Sequence, residues 1–182
     1  MDLKFFKLYD DVKDPYFATE QSACFDIHAH FLTPYAGSDP QQVTVYTMDN
    51  KKELREVKMW ADEGSTFVKG IRLSPGERVL VPTGLIFDIP NGYSVRLHPR
   101  SSISLKKGLT MPNGEGIIDA DYYHETFVMF YNASADEVRI TDKERIAQGE
   151  LIFNEDCSLK ETKERPTQKT ERVGGFGSTG IS

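Results

Sequence analysis

The run RVLVPTGLIFDIP, Arg78 to Pro90, is dense in β-branched and aromatic residues and is interrupted once, by Pro-Thr-Gly. Apolar runs this short, bounded by turn residues, read as strands rather than helices. The same reading spreads outward to YSVRLHP (Tyr93–Pro99), ETFVMFYN (Glu125–Asn132) and ELIF (Glu150–Phe153). Between them SPGE (Ser74–Glu77), IPNG (Ile89–Gly92) and MPNGEG (Met111–Gly116) read as turns, since Pro presets φ and Gly tolerates positive φ. Many short strands with Gly/Pro turns predict an all-β sandwich, jelly roll or barrel. One stretch departs from this: in Asp49–Glu63, Leu54, Val57, Met59 and Trp60 with flanking charges fit a short amphipathic helix. After Cys157 the composition turns charged and almost free of apolar residues, which predicts an arm from 158 to 182 beside a core domain of 1–157.

A chain of 182 residues suits one sizeable domain, and 38% hydrophobic residues are enough for a real core. The net charge of -6 argues against stable nucleic-acid binding, though a local cationic pocket stays open. No apolar run approaches a membrane helix and none near Met1 resembles a signal peptide. Cys24 and Cys157 form neither a disulfide framework nor a zinc pattern, so the expectation is a cytoplasmic protein.

Five segments are candidates for chemistry. In GIIDADYYHE (Gly116–Glu125), strand alternation would send Asp119 and Asp121 to one face, where carboxylates can polarise a water or hold a metal. Solvated strand-edge acids are the bland alternative. HPRSSIS (His98–Ser104) offers a guanidinium and hydroxyls, a natural phosphate clamp, or simply a polar turn. RIAQGELI (Arg145–Ile152) sets Arg145 and Gln148 around small apolar residues at a strand start. His28 and His30 lie on one side of a strand but lack a third ligand for a metal. GGFGSTG (Gly174–Gly180) is a frayed end, a linker stub or a loop that folds over a ligand.

Taken in order, an early strand-borne Asp26, then PRSS, GIIDADY, RIAQ and GGFGSTG, this chain resembles the trimeric dUTP pyrophosphatases (dUTPases). The resemblance runs from about Ala23 to the end, apart from an insertion at about 36–69. It implies a distorted jelly roll or β-barrel with a small helical insertion, and a flexible C-terminal arm that closes over nucleotide. It implies hydrolysis of dUTP to dUMP and pyrophosphate, with Asp119 as the base that activates water. Asn113, with backbone groups of Gly116 and Ile118, would read uracil, and Tyr122 would pack under the deoxyribose. Arg100, Ser101, Ser102 and Gln148 would meet the phosphates, as would Arg172, Gly177, Ser178 and Thr179 from the arm, while Phe176 stacks on the base. Asp26 would stand in the outer shell of the metal or against an arginine. Mg²⁺ would ride on the triphosphate with no protein ligand required, and the assembly would be a homotrimer with shared active sites.

The departures are Cys24 and Phe25 where Gly and Tyr are usual, Ser102 where Gly is usual, and Arg172 one residue nearer the glycines. Two alternatives follow. The dCTP deaminases share the fold and read RSS, but carry an Arg where this chain has Leu105 and a catalytic Glu where it has Met129. The insertion is either surface decoration or a surface for a protein partner, which would add a regulatory role to catalysis.

Overall fold

The computed structural model describes residues 1–33, 39–61 and 67–171. Its strands are β1 (Lys4–Lys7), β2 (Tyr16–Phe17), β3 (Phe25–His28), β4 (Gln42–Tyr46), β5 (Lys52–Glu56), β6 (Lys58–Ala61), β7 (Phe67–Leu73) and β8 (Arg78–Pro82). They continue as β9 (Leu85–Asp88), β10 (Tyr93–Pro99), β11 (Leu109–Thr110), β12 (Gly116–Ile118), β13 (Phe127–Asn132), β14 (Val138–Thr141) and β15 (Arg145–Phe153). The one helix among the described residues, α1, spans Ser101–Lys107 between β10 and β11. It ends at Gly108, whose φ of 64° satisfies the left-handed C-terminal cap.

Every strand pairing is antiparallel. Two five-stranded sheets, β12-β10-β15-β3-β2 and β11-β13-β8-β4-β5, are joined by a three-stranded sheet β14-β7-β6 and the pair β1-β9. The chain steps repeatedly from one large sheet to the other, as the all-β jelly-roll expectation requires. Strand alternation fills the space between them. Val95 and Leu97, Phe25 and Ile27, Val79 and Val81, Val128 and Phe130, and Val43 and Val45 all join one buried cluster. RVLVPTGLIFDIP bends at Thr83–Gly84 into β8 and β9. Gly84 has φ 69°, and a Cβ there would stand 2.4 Å from a Val12 methyl.

The helix expected at Asp49–Glu63 is absent. Lys52–Glu56 pairs with β4 and Lys58–Ala61 with β7, so the segment extends two sheets instead of decorating them. Its apolar residues do not share a buried stripe. Val57, between the strands, is buried, whereas Leu54 and Met59 are exposed. Ladder hydrogen bonds from preformed neighbours outweigh the weak local preference for helix. Trp60 lies on the β14-β7-β6 sheet with the Arg72 and Arg139 guanidiniums 5.3 and 5.6 Å from its ring centre. Beside it, Gly70 lets β14 approach: a Cβ there would fall 2.1 Å from the Ile140 carbonyl oxygen.

Arg55 of β5 ties the insertion to the core. Its Nη1 and Nη2 donate to the two carboxylate oxygens of buried Glu77 at 2.6 and 2.7 Å. Glu77 also accepts from the Ser74 N–H. These bonds, the one from Arg55 first, hold the Glu77 carboxyl below its ordinary value of 4.5 despite burial. From Asn154 to Glu171 the chain forms neither strand nor helix and its side chains are mostly exposed.

Arg55→Met should cost about 2–4 kcal/mol, since it leaves Glu77 buried and unpaired. Because the folded carboxyl has the lower pKa, its stabilisation is fully present above pH 4.5 and fades as pH falls through the folded value. Urea unfolding of both proteins from neutral pH down to pH 3 would show the wild-type advantage at neutrality and its shrinkage in acid.

Candidate functional site

The outward face of the β12-β10-β15-β3-β2 sheet collects residues that lie far apart in sequence. The register sets His98 against Gln148, Gln148 against Asp26, and Asp26 against Tyr16. One polar row therefore crosses four strands. Asp26 is nonetheless buried, because two arginines close over it. Arg100 Nε lies 3.0 Å from Asp26 Oδ1 and Arg145 Nη1 donates to Oδ2 at 3.1 Å. Of the two roles implied for Asp26, the structure places it against arginine.

Arg145 reaches this face through a bulge. Residues 145 and 148 are an odd number apart and would ordinarily point to opposite faces. A register shift between Arg145 and Ala147 inserts an extra residue, so Arg145 pairs with His28 on the Asp26 side. Ile146 and Ala147 both turn inward and are fully buried. Asp26, then Tyr16, push the Arg145 pKa further up, so the guanidinium stays charged. His28, stacked on Tyr16 at 5.8 Å, is held by burial below its ordinary value against the pull of Asp26.

Arg100 is also the residue before α1, with extended φ and ψ and no side-chain cap. Ser101 and Ser102 open the helix, the first exposed and the second half-buried. Their backbone N–H groups belong to the first turn, which has no intrahelical acceptors. Gln148 is half-buried, and its amide makes no hydrogen bond among the described residues. Arg100, Ser101, Ser102 and Gln148 thus form a donor-rich corner.

The remaining residues sit along edge strand β12. Gly114, with φ 73°, shapes the tip of Met111–Gly116, a hairpin-like turn that joins β11 of one large sheet to β12 of the other, and Asn113 beside it is exposed. At Gly116 a Cβ would stand 3.0 Å from the Leu97 Cβ, so glycine is what lets the hairpin lie close on β10. Ile118 is buried. The strand stops there, and the expectation of Asp119 and Asp121 on one strand face does not hold. Tyr122 N–H bonds back to the Asp119 carbonyl, and the turn leaves both carboxylates exposed. Tyr122 packs on the core and its hydroxyl donates to the Glu125 carbonyl at 2.9 Å, which fixes the ring. The Glu125 carboxyl accepts from the Gly84 N–H at 2.7 Å, and burial raises its pKa.

The two groups are not neighbours. Ile118 pairs with Val95, so Asp119 lies level with Ser94, whereas Arg100 follows the opposite end of β10. Six residues of strand separate the two levels, roughly 20 Å. Within one chain the exposed carboxylate and the cationic corner thus stand at opposite ends of β10. Arg172, Phe176, Gly177, Ser178 and Thr179 lie outside the described residues.

Sequence reading passed over a second cluster on the same face: Arg96, His98, Glu115 and Glu150. Alternation along β10 places Arg96 and His98 together, but only the cross-strand register brings the glutamates to them. Among the described residues no group of three or more His, Cys, Asp or Glu side chains is placed to hold a metal ion.

Comparison with known proteins identifies the family. The dUTPase family model matches residues 68–180. The deoxyuridine 5'-triphosphate nucleotidohydrolase of Brucella melitensis is 45% identical over 113 residues, covering 62% of this chain and 71% of that protein. The protein of the same name from Bdellovibrio bacteriovorus is 44% identical over 109 residues, covering 59% and 72%. The solved dUTPase of Staphylococcus bacteriophage 80alpha, in a mutant form, superposes with a TM-score of 0.67 at 20% identity, over 99% of each chain. With its strand order, its polar sheet face and a family match over more than half its length, the chain belongs to the dUTPase family.

Proposed function

We propose that this protein hydrolyses dUTP to dUMP and pyrophosphate at sites shared between copies of the chain in a homotrimer. The observation that carries the reading is the separation of an exposed, unengaged Asp119 from a corner of phosphate donors at the far end of β10. Each group is incomplete alone. A second copy that sets its Asp119 against the first copy's Arg100 corner completes the site, and the family match supplies the substrate class.

Asp119 orients a water and takes its proton as the oxygen attacks the α-phosphorus. The bond from that phosphorus to the bridging oxygen breaks, and pyrophosphate leaves with the electron pair. Among the described residues the exposed Asp119 carboxylate has no hydrogen-bond partner, which suits that base role. Arg100, Ser101, Ser102 and Gln148 hold the triphosphate, Arg100 being steered by Asp26. Asn113 pairs with the uracil edge through one donor and one acceptor, with the backbone of Gly116 and Ile118 completing the readout. The Tyr122 ring fills the space a ribose hydroxyl would need. Arg172, Phe176, Gly177, Ser178 and Thr179 of the arm cover base and phosphates and exclude water.

Mg²⁺ would arrive with the substrate's phosphates and offset their charge. Both Asp26 oxygens are already engaged by guanidiniums, so that carboxylate contributes by orienting Arg100. The deaminase alternative finds no support, because half-buried Met129 of β13 occupies the position where that chemistry needs a carboxylate.

Pyrophosphate release from dUTP, UTP, dTTP and dCTP tests the reading, with dUTP expected to be strongly preferred. Asp119→Asn should lower kcat by about 10²–10⁴ while dUTP still binds, since the amide keeps the shape but accepts no proton. Near-normal turnover in that variant would remove Asp119 from the mechanism. Mixing inactive Asp119→Asn with inactive Arg100→Ala and allowing subunits to exchange should restore partial activity, because some sites then combine two intact halves. No recovery after demonstrated exchange would place both groups in one chain's site. Ending the chain at Glu171 should leave the melting temperature nearly unchanged and abolish most turnover, which calorimetry and the same assay would read.

A further inference from the structure

Four charged or ionisable side chains next to the phosphate corner play no part in the reaction just described, yet they converge on the hairpin that carries Asn113. Continuing the β12–β10 register by one residue beyond Gly116–Leu97 brings Glu115 opposite His98. Arg96 Nη1 lies 3.2 Å from one Glu115 oxygen and His98 Nε2 lies 3.7 Å from the other. The same His98 nitrogen is 3.1 Å from Glu150 of β15. An ionised carboxylate only accepts, so Nε2 carries the proton in that bond. Arg96 is steadied in turn, its Nε donating to Ser94 Oγ, whose hydroxyl donates to Asn154. The chain of contacts therefore runs from the hairpin, across β10, to β15, the strand that carries Gln148 one row away.

We infer that Arg96 and His98 act through Glu115 as positioning residues for uracil recognition, holding the Met111–Gly116 hairpin at the height where Asn113 can read the base. The hairpin's other flank is held by buried Met111 and the β11–β13 ladder, so what the Glu115 pairs hold is the exposed tip. Residues 112–114 are exposed and Gly114 has nothing within 4 Å of where a Cβ would be. Its backbone bonds are local, Gly114 N–H to Met111 and Glu115 N–H to Asn113. Among the described residues, the Glu115 ion pairs are the side-chain contacts that tie the tip to β10, beside the ladders of β12 and β11 that flank it. A base reader that gives the wrong base an unpaired polar group discriminates only if it stays in place, because a hairpin that yields can follow the wrong base. Glu115 thus bears on substrate choice and binding, while Asp119, at the other end of β12, keeps its geometry.

This inference rests on the dUTP reading, and the experiment separates the two. Glu115→Gln, Arg96→Gln and His98→Gln would be compared with wild type for kcat and KM on dUTP and dCTP. Amide hydrogen exchange at residues 111–116 would be followed in the absence of any nucleotide. Glu115→Gln should raise the dUTP KM about three- to tenfold, the scale of a few partly exposed ion pairs, and narrow the dUTP/dCTP preference by a similar factor. Its kcat should stay within about twofold of wild type, as expected when binding rather than the transition state is affected. Arg96→Gln and His98→Gln should shift KM the same way by smaller factors, and hairpin amides should exchange faster in all three. Unchanged hairpin exchange, or a fall in kcat at unchanged KM and preference, would overturn the inference. A wild-type protein inactive on dUTP would refute the proposed function instead, leaving the exchange result to decide whether these pairs hold the hairpin.

Discussion

A buried carboxylate enclosed by two guanidiniums organises this molecule. Asp26 lies on the outer face of a sheet, yet it is shielded from water because Arg100 and Arg145 each take one of its oxygens. Removing either arginine would leave a desolvated charge short of a partner, which is costly. The constraint fixes three things together: the exit of β10 into α1, the bulge at the start of β15, and the position of β3 between β15 and β2. The donor corner formed by Arg100, Ser101, Ser102 and Gln148 inherits its geometry from these three. A triphosphate arriving there meets donors whose positions the fold has already set, so little further ordering is required.

The strand content was legible because period-2 alternation and Gly/Pro turns are local signals, and RVLVPTGLIFDIP carries both. Asp49–Glu63 misled for the complementary reason. Apolar residues at Leu54, Val57, Met59 and Trp60 mimic helical spacing, and nothing local announces that β4 and β7 will offer ladders to the segment. Asp119 and Asp121 were placed on a strand that ends at Ile118, since strand ends are decided by turn hydrogen bonds that spacing does not reveal. The site residues proposed here come from the order of motifs along the chain. What no motif could disclose is register: that Glu115 stands opposite His98, or that a bulge turns Arg145 toward Asp26.

The insertion is continuous with the fold. Arg55 of β5 neutralises Glu77 at the turn before β8, so an added strand supplies the counter-charge to a buried acid of the matched core. On its other side, β6 lays Trp60 on the sheet beside Gly70, with the Arg72 and Arg139 guanidiniums close to its ring. Residues 39–61 therefore contribute packing and charge balance to the two sheets they extend.

The bulge at Arg145–Ala147 has a consequence for the two faces of β15 separately. Substitutions along β15 change one side chain at a time, and the pleat keeps each neighbour on its own face. Deleting one residue between Arg145 and Gln148 would leave the two an even number apart, so the regular pleat would keep both on the Asp26 face, and the loss would fall on the interior, where Ile146 and Ala147 are both buried. The extra residue therefore serves the core: it packs two buried side chains where a regular strand would offer one, while the polar face keeps the spacing it would have without it.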